Sequence, residues 1–192
     1  MKSCLQITNR QKSFIESNCL AFKLALHGEH GVGHWLRVLR NGIDLSKKVA
    51  EVDLKVVFWF SLLHDIEREN ENHDPAHGER AAKKVRENLD ILDLTESQSE
   101  KLMKACEIHS KGTKSDDPTI AVCIDSDKLD LARVRIYPDV KYLSLTESKD
   151  EAFIKECNAR AVDWEWQASI EQEIGIDLKK IISDKRLRKY LY

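Results

Sequence analysis

Apolar residues along the chain recur mainly at three- and four-residue spacing, the period of a helix with one buried face. The first such stretch covers about residues 10–26 and stops at "HGEHGVG", a second runs from His34 to about Ala50, and a third covers about 53–68. That third stretch contains "VVFWFSLLHDIEREN", an apolar run that ends abruptly on adjacent His64 and Asp65. After the polar connection "ERENENHD", Asp74-Pro75 predicts an N-cap with proline at the first helical position and a helix to about Leu89. Ser97 to Glu100 has capping-box spacing and predicts a helix to about His109. Asp117-Pro118 repeats the cap-and-proline device for a helix reaching about Ala132, followed by a loop around Tyr137-Pro138. From about Glu147 the pattern is helical again, with Val162, Trp166, Ile170 and Ile174 four residues apart until Gly175 precedes a short basic stretch, "DKRLRKY". Seven glycines and three prolines leave too few turns for an all-β fold. The prediction is all-α: one domain over residues 1–146, with a helical extension over 147–192 packed on it.

The helical stripes carry an oddity. His64 shares its stripe with Val57 and Phe60, and His34 leads Val38, Asn41, Leu45 and Val49. His77 heads Ala81, Val85 and Leu89, while His109 points with Leu102, Ala105 and Cys106. Asp127 lies with Ile120, Cys123, Ile124, Leu131 and Val134. A single histidine on an apolar stripe is usually a hydrogen-bonded core residue. Five helices that each place an imidazole or a carboxylate in the core require a common explanation, because burying an unpaired charge costs several kcal/mol. Convergence on a cation satisfies them all, and a mixed set of nitrogen and oxygen donors suits a first-row divalent ion better than calcium. Successive helical residues differ by about 100° in direction with a rise of about 1.5 Å. At a helix end His64 and Asp65 can therefore both reach one ion, or Asp65 can bridge two.

Bulk properties narrow the class. Charged residues are 33% and hydrophobic ones 42% of the 192 residues, as in ordinary globular proteins. A net charge of -2 gives no basic footprint, so nucleic acid enters only as a substrate. The longest apolar run falls far short of the roughly 20 residues of a membrane span, and "MKSCLQITNRQKSF" has no secretory pattern. Five cysteines (Cys4, Cys19, Cys106, Cys123, Cys157) form no CxxC pair and are read as reduced packing residues of a cytoplasmic protein.

The order His34, His64-Asp65, His77, His109, Asp127, in "HWLRV", "HD", "HG", "HS" and "DSDKLD", resembles the HD-domain superfamily of metal-dependent phosphohydrolases. "GHWLRVLRNG", "DPAHGERAA" and "CIDSDKLDLARV" are similar to a bacterial subgroup of it, and the resemblance covers about residues 28–140. It implies an all-α fold with His34, His64, Asp65 and Asp127 around one divalent metal. In branches with a second metal, His77 and His109 bind it with Asp65 bridging; otherwise these two histidines hydrogen-bond around a mononuclear site or contact phosphate. The cofactor is then one or two ions from Mn, Fe, Ni, Co, Zn or Mg. The HDxxED pattern of guanosine tetraphosphate hydrolases is missing, since Arg68 and Glu69 stand where Glu and Asp would, and so is the GYP signature of cyclic di-GMP phosphodiesterases.

The implied chemistry is hydrolysis of a small phosphate ester, mono- or diester, such as a nucleotide. Asp65 is central to it. Arg68, one turn beyond His64, and Lys128, beside Asp127, are the candidate cations for the spread negative charge of the transition state. Glu67 is a candidate to orient water, with Glu71 behind it. Arg37 is read as the partner of a carboxylate, and Asp130 as a support or helix-surface acid. His27, His30 and His73 read as loop or cap residues. Trp164 and Trp166 fit the packing of the extension or a homodimer seam. The competing class is a regulatory or ligand-binding module that holds the metal without turnover.

Overall fold

A computed structural model describes residues 7–162. Cys4, Trp164, Trp166, Ile170, Ile174, Gly175 and "DKRLRKY" lie outside the described residues.

The hydrophobic run at the heart of the sequence forms α3 (Leu54–Leu63), and Val56 to Leu63 are all buried. Where one apolar face was expected, the helix is apolar all round and so runs through the middle of the core, packed on α2 (Val32–Ser46), α6 (Glu96–Ile108) and α7 (Pro118–Lys128). Asp53 caps it by accepting the backbone N–H groups of Lys55 and Val56. Gly42 in α2 allows close approach to α3, since a Cβ there would lie 2.6 Å from Val57 Cγ1. The core is completed by α1 (Asn9–Ala21), α4 (His77–Glu87), the short α5 (Leu89–Leu92) and α8 (Glu151–Val162). The described residues contain no strand, and no described helix is long and apolar enough to cross a membrane.

Helix boundaries differ from the sequence expectation where polar side chains are used elsewhere. α4 starts at His77, two residues after Pro75, because the Asp74 carboxylate accepts the Glu69 N–H at 2.8 Å and pairs with Arg80 at 2.5 Å instead of capping. α6 is opened by a Thr95/Gln98 capping box, two residues ahead of the Ser97/Glu100 pair. α3 stops at Leu63, and α7 at Lys128 with one 3-10 turn following at Leu131–Val134. The Asp117-Pro118 cap is as expected, with the Asp117 carboxylate accepting the Ile120 N–H at 3.0 Å. α8 packs on α2 and on the Leu131–Val134 turn, where Arg160 donates to Asn41 Oδ1 at 2.8 Å and pairs with Asp44 at 2.8 Å.

Candidate metal centre

Five helix ends meet at one point. His34 lies in the first turn of α2, His64 is the residue on which α3 ends, and His77 begins α4. His109 follows α6, and Asp127 is in the last turn of α7. Ends suit this role because the chain can turn a polar side chain inward there without interrupting the apolar packing of the helix body. His34, His64, Asp65, His77 and His109 are each at most 5% exposed.

Asp65 divides the cluster. Its Oδ2 is 3.6 Å from His34 Nε2 and 3.8 Å from His64 Nε2. Its Oδ1 is 3.3 Å from His77 Nε2 and 3.5 Å from His109 Nε2. Asp127 Oδ1 joins the first group, at 3.2 Å from His34 Nε2 and 3.8 Å from His64 Nε2. Two sets of donor atoms, His34–His64–Asp65 and Asp65–His77–His109, are each compact enough to hold one ion.

The other edge of each imidazole fixes its proton. His34 Nδ1 meets Asp130 Oδ2 at 2.7 Å, His64 Nδ1 the Phe60 carbonyl at 3.1 Å, and His109 Nδ1 the Cys106 carbonyl at 2.7 Å. His77 Nδ1 meets the Asp74 carbonyl. All four partners are acceptors, so each Nδ1 carries a hydrogen and each Nε2 lone pair points inward. Yet His34 Nε2 and His64 Nε2 are 3.0 Å apart, and His77 Nε2 and His109 Nε2 are 2.8 Å apart. Such facing lone pairs repel unless a cation lies between them. Asp65 Oδ1 is also buried without a hydrogen-bond partner, an expensive arrangement for a carboxylate. These residues fit a metal, and the carbonyl and carboxylate partners behind the imidazoles are what metal-binding histidines require.

The electrostatics favour neutral imidazoles at His64 and His77, whereas at His109 burial, which lowers the imidazole pKa, is outweighed by Asp65 and Asp127, which raise it. Burial pushes the His64 imidazole down to about 3 against the opposing pull of Asp65 and Asp127, which keeps it neutral as a ligand must be. Burial, then His109, also lowers His77. Burial opposes charge on Asp65, but His64, His109 and His34 outweigh it and hold the carboxyl well below its ordinary value. Phe60 stacks on His64 with ring centroids 4.9 Å apart and meets the His109 ring edge-on at 5.9 Å, fixing both planes.

Of the other expected residues, Arg68 reaches this cluster, while Glu67 and the Lys128 ammonium turn to other partners. Arg68 is buried, with Nη1 3.6 Å from Asp65 Oδ1 and its guanidinium also donating to the Asn70 and Asn72 carbonyls. Arg37 pairs with the fully buried Asp130 at 2.7 Å, so Asp130 supports His34 from behind. Glu67, expected to orient water, instead pairs with Lys84 at 2.6 Å. Lys128 turns its ammonium to the carbonyls of Thr113 and Tyr142, at 3.0 and 2.7 Å. His27 and His73 are exposed loop residues. His30, read as a loop residue, is buried, and its Nδ1 meets Glu71 Oε2 at 2.5 Å with its ring 6.4 Å from that of His34.

Two roles escaped the sequence reading. Asp125 accepts the Ser144 and Leu145 N–H groups at 2.9 Å and the Ser148 hydroxyl at 2.6 Å, tying the segment after α7 back onto it. Tyr142 belongs to that segment and lines a cavity of about 300 Å³ beside His109 and Asp127. The signal for Asp130 was present: Asp127 and Asp130 are three apart, as are His34 and Arg37, so two helix faces meet in matching pairs.

Neither a curated protein nor a solved structure matches the chain significantly. The HD domain family does match, over residues 31–133, a span that includes all six inward-facing side chains. With more than half of the chain matched and its histidines and aspartates gathered as a metal centre requires, the protein belongs to the HD domain family, within the superfamily of metal-dependent phosphohydrolases.

Proposed function

We propose that this protein hydrolyses a small phosphate ester, a mono- or diester such as a nucleotide, at a centre of two divalent ions that share Asp65. The observation that carries the reading is the divided Asp65 carboxylate, one oxygen facing His34 and His64 and the other, without a hydrogen-bond partner, facing His77 and His109. Ions held there would supply a lowered pKa for water and neutralisation of phosphoryl oxygens. The protein's own residues do the rest. His34, His64 and Asp127 hold one side, His77 and His109 the other, and the Nδ1 contacts keep every ring from turning. Arg68 is the cation assigned to the phosphoryl oxygens, because it reaches the Asp65 side of the cluster from a buried position where its charge is weakly screened. Asp130 and Arg37 orient His34 without touching substrate. Lys128 acts through the loop that it ties down, and Glu67 through Lys84, as positioning residues.

The test is turnover by the full chain loaded with manganese, nickel or cobalt on nitrophenyl phosphate, bis-nitrophenyl phosphate and a panel of nucleotides. Release of phosphate or nitrophenol that a chelator abolishes is expected. No turnover of any mono- or diester by a metal-loaded preparation refutes the enzyme and leaves a metal-holding binding module.

A further inference from the structure

The cavity beside the metal centre has a character of its own. Its lining includes His109, Asp127, Lys128, Leu131, Pro138 and Tyr142. At about 300 Å³ it stands at the small end of ligand pockets, enough for one mono- or bicyclic group. Pro138 and Tyr142 lie beyond residue 133, where the family match ends. Their segment is firmly built. Lys128 clamps the Tyr142 carbonyl, and Asp125 holds the next residues through the N–H groups of Ser144 and Leu145. Tyr142 itself remains 48% exposed, an aromatic surface kept in place with room to be covered.

The lining decides what can enter. The Lys128 ammonium is engaged by two carbonyls. The Lys141 ammonium pairs with Asp139 at 2.8 Å and lies 4.8 Å above the Tyr142 ring. The acids Asp127 and Asp139 line the same cavity. Asp139 is offset by Lys141 and Asp127 faces the proposed ions, so charge neither draws nor bars a second phosphate. The exposed lining, however, is almost wholly apolar and offers a phosphate little to replace its hydration. An uncharged ring meets Leu131, Pro138 and Tyr142.

We infer that this cavity receives the leaving group of the ester and selects an uncharged, ring-bearing alcohol of nucleoside or aryl type, with Tyr142 as the specificity-determining residue. The inference rests on the phosphohydrolase reading. In the hydrolysis the water oxygen bonds to phosphorus, the ester P–O bond breaks, and the departing oxygen takes up the proton that the water gives up. The ring-bearing alcohol is then the product the cavity releases.

The experiment compares wild type with Tyr142→Ala and Tyr142→Phe in two assays on the full chain. The first takes the ratio of kcat/KM for a nucleoside monophosphate, and for phenyl phosphate, to that for glycerol phosphate, so that any general loss cancels. The ratio should fall about tenfold in Tyr142→Ala and hold in Tyr142→Phe, as lost stacking on an aromatic ring requires. The phenyl arm separates an aryl pocket from one that needs the sugar as well. The second assay measures binding of the uncharged nucleoside, or of phenol, by calorimetry or ligand-observed NMR, which needs no turnover. Wild type should bind and Tyr142→Ala should lose binding. An unchanged ratio, unchanged binding, or a preference for nucleoside diphosphate over monophosphate overturns the inference. Absence of any turnover overturns the enzyme instead, while the binding assay still judges the cavity.

Discussion

Replacing Gly78 by alanine tests whether His77 and His109 form a metal-holding pair. Gly78 follows His77 in the first turn of α4, where that helix crosses the end of α6. A Cβ built at position 78 would lie 2.3 Å from the Cys106 carbonyl oxygen and 3.4 Å from His109 Cε1. An ordinary carbon–oxygen contact needs about 3.3 Å or more, so the carbonyl or the helix must move by about 1 Å. The same carbonyl accepts His109 Nδ1 at 2.7 Å and sets the ring's direction. Overpacking of this kind costs about 1–3 kcal/mol, and the better helix propensity of alanine returns about 1 kcal/mol. The net loss in stability is therefore about 0–2 kcal/mol, small beside the expected effect on metal. Urea unfolding of chelated protein should show the first quantity. Metal analysis after manganese loading and desalting should show the second, a fall from two ions per chain towards one. Two ions retained at wild-type affinity would falsify the proposed link between the α4–α6 crossing and the second ion. A wild type that never holds more than one ion refutes the two-ion centre itself.

Two other substitutions address the surroundings. Asp130→Asn keeps shape but removes the charge that faces both Arg37 and His34 Nδ1, and should weaken metal affinity roughly 10- to 100-fold in chelator competition; unchanged affinity would show that Asp130 supports only the fold. For Asp44, burial pushes the carboxyl up, but Lys47, Arg160 and Arg40 outweigh it and hold it below 3.8. A carboxyl with a lowered folded pKa stabilises above its unfolded value and loses that contribution as pH falls through the folded one. Asp44→Asn should therefore shrink the stability difference between about pH 5 and about pH 2 in urea melts of metal-free protein, and an undiminished difference would remove Asp44 from the account.

The helices and the gathering of His34, His64, Asp65, His77, His109 and Asp127 were legible because both follow from local rules: the helical period, and the cost of ionisable groups on apolar stripes. What stayed hidden depends on tertiary partners. Asp74 reads as a cap from its neighbour Pro75, yet Arg80 and the Glu69 N–H draw its carboxylate away, and the helix starts later. Glu67 stands close to Asp65 in sequence but lies in the turn after α3 and goes to Lys84, while Lys128, about 100° round α7 from Asp127, goes to two carbonyls. The segment "CIDSDKLD" shows the principle most fully. Its three aspartates serve three different partners: Asp125 holds the Tyr142 segment, Asp127 faces the imidazoles, and Asp130 contacts His34 directly while pairing with Arg37. One short stretch thus connects the wall of the cavity, the metal centre and its support. On the proposed reading, a shift of this stretch alters the cavity wall and the metal-holding cluster together.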